Sequence, residues 1–235
     1  MEAVNNKKGI LYGVGIGPGD PELLTIKAVK VLEKCPVIAA PQTKSGEMLA
    51  LDIASGAVDL TGKTILPLYF SMEREKSVQH AAHVDAAEAV RQKLDEGLDV
   101  AMLNLGDVSI YATWCYLMDI LNEKGYETVM VPGITSFCAV ASRLGVSLTE
   151  INSGLHIAPG SSSLEETLDL PGTKVLMKSG RQLPEVLEAL GKRGLLGKSA
   201  LVKNCGFEGE ELYPNLAEKA PTEYAGYFVT IIVKE

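Results

Sequence analysis

Three short stretches carry the residues whose types and spacing suit chemistry, and what they offer is a backbone-lined place for a small molecule. The first is ILYGVGIGPGDPELLT, residues 10–25, where Gly13, Gly15, Gly17 and Gly19 follow the apolar lead Ile10, Leu11 and Tyr12. The second is Gly106-Asp107-Val108-Ser109-Ile110-Tyr111, and the third is Pro132-Gly133-Ile134-Thr135-Ser136. Each follows an apolar run that reads as a buried strand, and glycine lets the backbone approach a ligand that a Cβ would hold off. Loops at the carboxyl ends of strands are where open α/β sheets bind small molecules. The three loops together describe one cleft.

Two familiar ligand loops do not fit. The dinucleotide fingerprint wants a third glycine where Pro18 or Asp20 stands, and an acidic residue near the end of the second strand, which reads Pro36-Val37-Ile38-Ala39-Ala40-Pro41. Gly62-Lys63-Thr64 ends like a P-loop, but Ala57 occupies the place of its first glycine and a strand, Ile65-Leu66-Pro67, follows where a helix should. It reads as an ordinary turn.

The elements that must hold these loops alternate strand and helix, so the fold class is α/β. Thr25 is the expected N-cap of a helix whose apolar residues are Ile26, Val29 and Leu32. Helices are predicted over 80–96, with Val84, Ala87, Val90 and Leu94 on the inner face, over 111–124 and over 137–144. His80 and His83 sit one turn apart on the first of these and read as surface histidines, since no Cys or further His accompanies them locally. Strands are expected at 155–158, 174–177 and 200–203, a helix at 183–192, and an antiparallel strand over 224–234. The division expected is a 1–132 domain with a parallel sheet and the glycine loops, then a 133–235 mixed α/β domain.

Composition narrows the classes. The chain has 235 residues, is 46% hydrophobic and carries a net charge of −8, which disfavours nucleic acid as a partner. No apolar run approaches the roughly 20 residues that span a bilayer, and the first residues lack the apolar core of a signal peptide. The four cysteines, Cys35, Cys115, Cys138 and Cys205, are far apart, so reduced thiols, a cytoplasmic location and no metal cluster are expected.

The combination GVGIGPGDPELLT (13–25), LNLGDVSIY (103–111) and VPGITSF (131–137) resembles the tetrapyrrole methyltransferases, over essentially the whole chain. Within that family, the Leu-Thr-x-Lys-Ala-Val start of the first helix, the loop Tyr69–Glu75 and the run Val175–Arg181 are most similar to the precorrin-2 or cobalt-factor II C-20 methyltransferases. One departure is Val108, where the family usually has proline after Gly-Asp. The resemblance implies a folded S-adenosylmethionine, leaving as S-adenosylhomocysteine, held between two α/β domains largely by backbone. Carried over by motif, Pro18, Leu105, Gly106, Asp107, Ile110, Thr135 and Ser136 line its site, with Lys178, Asn204 and the terminal strand near Val229 closing on the adenosine. Asp107 is either a carboxylate beside a cationic ligand or an Asx residue that holds a turn.

The implied reaction is in-line methyl transfer from a sulfonium to a meso carbon of the macrocycle, helped by placing the two carbons about 3–3.5 Å apart. It requires no metal, and no catalytic base is identified. The implied substrate carries several carboxylates. With 22 Lys and Arg against 30 Asp and Glu, local cations must receive them, and Arg74 and Arg181 rank above Lys178. The family is generally homodimeric, and Leu68, Tyr69 and Phe70 are the apolar residues expected to remain for a partner. The competing readings are a methyltransferase of the same fold acting on another tetrapyrrole position or a macromolecule, and a non-catalytic nucleotide-binding module.

Overall fold

The computed structural model describes residues 7–71, 73, 75–160, 163–221 and 226–235. Three strands lead into the three loops, and the first two of them are almost wholly buried. They are β1 (Leu11–Gly15), β4 (Val100–Asn104) and β5 (Thr128–Val131). With β2 (Val37–Gln42) and β3 (Thr64–Tyr69) they form one sheet of order β3-β2-β4-β1-β5, all parallel. Parallel pairing needs crossovers, and α1 (Ile26–Lys34), α2 (Leu49–Ala57), α3 (Lys76–Asp95) and α4 (Trp114–Glu123) supply them. The core beneath combines Leu11, Val37, Met102 and Val100 from the strands with Val90, Leu94, Trp114, Leu117 and Leu121 from the helices.

Thr25 caps α1 as expected: its hydroxyl accepts the Ala28 N–H at 3.1 Å. Of the apolar residues named for this helix, Leu32 is buried and Ile26 is not: Ala28 lies inside with Leu32, while Ile26 is 76% exposed. Helix α3 begins at Lys76 and not at residue 80, because its polar first turn hides the start. Its buried positions are His83, Ala86, Ala87, Val90 and Leu94, so His83 takes the inward place expected for Val84, which faces out. The surface assignment of His83 is therefore corrected. Helix α4 starts at Trp114 and not at Tyr111, whose φ of 49° lies in the left-handed region and cannot continue a helix. Leu68, expected to remain for a partner, is 1% exposed and belongs to the core. Phe70 packs against that core, and Tyr69 alone of the three stays exposed.

The chain divides into two compact units, Met1–Thr135 and Ser136–Glu235. The second opens with α5 (Ser136–Leu144) and builds a mixed sheet of order β6-β7-β10-β8-β9. Its strands are β6 (Leu155–Pro159), β7 (Thr173–Met177), β8 (Ser199–Lys203), β9 (Glu211–Tyr213) and β10 (Val229–Val233). Strand β10 is antiparallel to both β7 and β8, and β6 is parallel to β7. It is shorter than the strand expected over 224–234, and residues 224 and 225 lie outside the described residues. Helices α6 (Leu164–Asp169) and α7 (Leu183–Lys192) pack Leu168, Leu183, Val186 and Leu190 against Leu176, Leu201 and Ile231. No helix among the described residues is long and apolar enough to cross a membrane.

Candidate active site

Strands β4, β1 and β5 are neighbours in that order, so the three glycine-bearing loops leave the carboxyl edge of one sheet side by side. Across the first two loops, Gly106 N–H donates to the Gly17 carbonyl at 2.7 Å and Gly17 N–H returns a bond to Gly106 at 3.2 Å. Crowding explains two other glycines. A Cβ on Gly15 would lie 2.6 Å from the Gly133 nitrogen, and one on Gly133 would lie 2.7 Å from the Gly15 carbonyl carbon. Gly13 is different again, since its Cβ would fall 2.5 Å from Cε2 of the Trp114 indole. Gly13 and Gly15, expected to clear room for a ligand, in fact clear room for Trp114 and for the third loop. Gly106 is the glycine with open space above it: a Cβ there would meet nothing nearer than the Ile134 carbonyl oxygen at 3.9 Å, and its φ of 73° is what requires glycine.

Asp107 joins the second loop to the third. One carboxylate oxygen accepts the Ser109 N–H at 2.8 Å and the Ser109 hydroxyl at 2.5 Å; the other accepts the Gly133 N–H at 2.8 Å. The residue is 9% exposed. Burial alone would raise its pKa, but the bonds from Ser109 and Gly133 outweigh that and hold the carboxyl below its ordinary value. The Asx turn weighed in the sequence is thus present, and the same side chain also reaches across loops. Val108, in the usual proline position, is buried in the core with Trp114.

Two residues beyond Gly133, the Thr135 hydroxyl is buried and has no hydrogen-bond partner. Leaving such a group unpaired costs roughly 1–3 kcal/mol. An orphaned hydroxyl next in the chain to Ile134, whose carbonyl faces the open side of Gly106, fits a small ligand with a polar end, as the methionine portion of S-adenosylmethionine has. Pro18 is buried directly after Gly17, Leu105 and Ile110 flank the Gly106-Asp107 pair and are half-buried, and Ser136 opens α5. The first unit therefore brings Pro18, Leu105, Gly106, Asp107, Ile110 and Thr135 to one sheet edge.

The second unit has its own meeting point. Lys178 follows β7, Asn204 follows β8, and Val229 begins β10, which runs antiparallel between them. The Ser179 N–H donates to Val229 O at 3.5 Å and the Asn204 N–H to Phe228 O at 2.8 Å. Lys178 and Asn204 both have left-handed backbones, φ 55° and 52°. With Tyr111 they are the non-glycine residues at positive φ among those described, and such outliers concentrate at functional sites. The side chain of Val229 is in the core, so backbone is what it offers here. The Asn204 amide donates to Gly209 O at 3.3 Å and closes its own loop. Phe207 and Tyr227 pack on Phe228 at this edge, ring centroids 5.1 Å apart in each pair. Sequence reasoning passed over these aromatics, and the signal available was their clustering in a chain only 6% aromatic.

Arg181 is exposed and makes no ion pair among the described residues; Glu185, its neighbour one turn on, does not engage it. Arg74 lies outside the described residues. Among the described residues no group of three His, Cys, Asp or Glu side chains is placed to hold a metal ion.

Comparison with known proteins agrees over nearly the full length. The family described as Tetrapyrrole (Corrin/Porphyrin) Methylases matches residues 10–221. The probable cobalt-precorrin-2 C(20)-methyltransferase of Methanocaldococcus jannaschii is 36% identical over 228 residues, 95% of either chain. The precorrin-2 C(20)-methyltransferase of a Sinorhizobium species is 34% identical over 238 residues, 96% of this chain and 95% of that one. The structure of uroporphyrin-III C-methyl transferase from Thermus thermophilus, complexed with S-adenyl homocysteine, has the same fold, with a TM-score of 0.67 at 21% identity over 97% of this chain and 98% of that one. The chain belongs to the tetrapyrrole (corrin/porphyrin) methylase family.

Proposed function

We propose that the protein methylates the C-20 meso carbon of precorrin-2 or its cobalt form, in cobalamin biosynthesis, using S-adenosylmethionine. The observation that carries this reading is end-to-end similarity to two C(20)-methyltransferases, at 36% and 34% identity with 95% of each relative covered. S-adenosylmethionine supplies a methyl group already activated by the sulfonium charge. What the chain itself supplies is placement. The backbone around Gly106, the Thr135 hydroxyl, and Pro18, Leu105, Asp107 and Ile110 are the cofactor contacts of the first unit, and Ser136, Lys178, Asn204 and Val229 are those of the second. Arg74 and Arg181 receive carboxylates of the macrocycle, and Arg181, which makes no ion pair among the described residues, is ready to grip one bidentately. The protein works as a cytoplasmic homodimer, and Tyr69, 43% exposed at the end of β3, is part of the partner surface. A sedimentation mass near that of one 25.1 kDa chain at micromolar concentration would contradict the dimer.

The deciding experiment is calorimetric titration with S-adenosylhomocysteine, followed by an assay on precorrin-2 with and without cobalt. Binding and a product methylated at C-20 are expected. No binding would sink the cofactor assignment, binding without turnover on either macrocycle would make the chain a non-catalytic module, and a methyl at another carbon would move the position.

A further inference from the structure

We infer that Asp107 is a positioning residue: its side chain clamps the loop after β5 to the loop after β4 and so sets where the Thr135 hydroxyl stands, without the carboxylate itself contacting the cofactor. The inference rests on the reading of this edge as the S-adenosylmethionine site.

The carboxylate is already occupied. An ionised carboxylate has about four acceptor sites, and here three donors use three of them: the N–H and hydroxyl of Ser109 on one oxygen, the N–H of Gly133 on the other. The first pair folds the second loop on itself. The third bond crosses to the next loop, 26 residues on in the chain. Gly133 is a place where such a bond has leverage, because its Cα side is pressed against Gly15 and the Gly106 carbonyl and has no room to drift inward. With one face of Gly133 against Gly15 and its N–H held by Asp107, the peptide that leads through Ile134 to Thr135 starts from a fixed point. Thr135 is the residue of this loop whose buried hydroxyl lacks a partner, so it is the group whose placement a ligand would feel. At neutral pH the carboxyl is ionised and the clamp is closed.

The competing role is direct contact, a buried carboxylate facing a cationic ligand. Double-mutant analysis separates the two, because coupled residues give non-additive effects while independent contacts add. We would measure S-adenosylhomocysteine affinity in the parent, Asp107→Ala, Thr135→Ala and the double variant, and amide exchange at Gly133 in the cofactor-free protein. Expected are at least a tenfold weaker affinity for Asp107→Ala, a clear loss for Thr135→Ala, a double variant within about twofold of Asp107→Ala, and faster exchange at Gly133. Losses that multiply in the double variant would overturn the inference in favour of direct contact. Unchanged affinity in either single variant, or unchanged exchange at Gly133, would overturn it as well. Should Asp107→Ala fail to fold, Asp107→Asn takes its place, since one amide oxygen cannot serve both Ser109 and Gly133. A parent that binds no S-adenosylhomocysteine while Asp107→Ala frees the Gly133 amide would overturn the cofactor assignment and leave the clamp standing.

Discussion

The imidazole of His83 lies flat on the phenol ring of Tyr116, centroids 4.3 Å apart and planes 9° apart. The stack joins α3 to α4, with Phe70 tilted against His83 at 6.0 Å. Burial first, and the charge of His80 second, lower the His83 pKa from its ordinary 6.5. The unfolded chain therefore takes up a proton near that value that the folded chain resists. Stability contributed by the neutral ring is fully present above about pH 6.5 and is lost as pH falls toward the folded value. We expect the urea midpoint to fall more between about pH 7.5 and 5.5 in the parent than in His83→Phe, which keeps a ring in the stack and removes the titration. Equal pH dependence in the two proteins would remove His83 from the acid sensitivity of the fold.

Gly13→Ala drives a methyl into the face of Trp114, which is fully buried and cannot retreat. Overpacking of this kind costs about 1–3 kcal/mol. Trp114 is the one tryptophan of the chain, so its fluorescence reports the site directly. A lowered denaturation midpoint together with a shifted emission maximum is expected, and an unaltered spectrum would mean the indole is not where β1 needs glycine.

Gly106→Val tests the opposite kind of glycine. Space above it is open, so the cost comes from the left-handed backbone, roughly 1–2 kcal/mol, and from a side chain standing where the cofactor is proposed to lie. We expect a folded protein whose S-adenosylhomocysteine affinity is at least about tenfold weaker, equivalent to roughly 1.4 kcal/mol. Unchanged affinity would place the cofactor elsewhere.

Arg181→Ala should raise KM for the tetrapyrrole and leave S-adenosylhomocysteine affinity alone, because its guanidinium has no carboxylate partner among the described residues to lose. Kinetics identical to the parent would remove Arg181 as a substrate contact.

The cysteines should divide by reactivity. Burial, then the charge of Asp99, pushes the Cys35 thiol up to about 12, and burial with Glu210 pushes Cys205 up to about 11. Cys115 and Cys138 are exposed. Mass spectrometry after brief alkylation at mildly basic pH should find two modified cysteines in the native protein and four after denaturation. Early labelling of Cys35 would contradict the burial.

Much of the fold could be read because it is written locally. The Thr25 cap, the apolar runs of β1 and β4 and the glycines that end them need only neighbouring residues to be recognised. The parts that escaped depend on partners far away in the chain. Whether Val84 or His83 faces inward is decided by Tyr116 and Phe70, and whether Gly13 serves a ligand or a core is decided by Trp114, about a hundred positions on. Strand β9 and helix α6 are too short to show a period. At the site, the residue types of the three loops were legible, while the bond from Asp107 to Gly133 was not, because nothing local marks which donor a carboxylate will find.

The place of β10 has a consequence for synthesis. It is the central strand of the second sheet, yet β6, β7, β8 and β9 all precede it in the chain. As the polypeptide leaves the ribosome, the first sheet has every strand it needs once Val131 has emerged. The second can form only two separate ribbons, β6 with β7 and β8 with β9, each offering an open edge. Those edges stay exposed until residues 229–233 arrive between them, so the nascent second unit passes through a stage in which it is sticky and most in need of a chaperone.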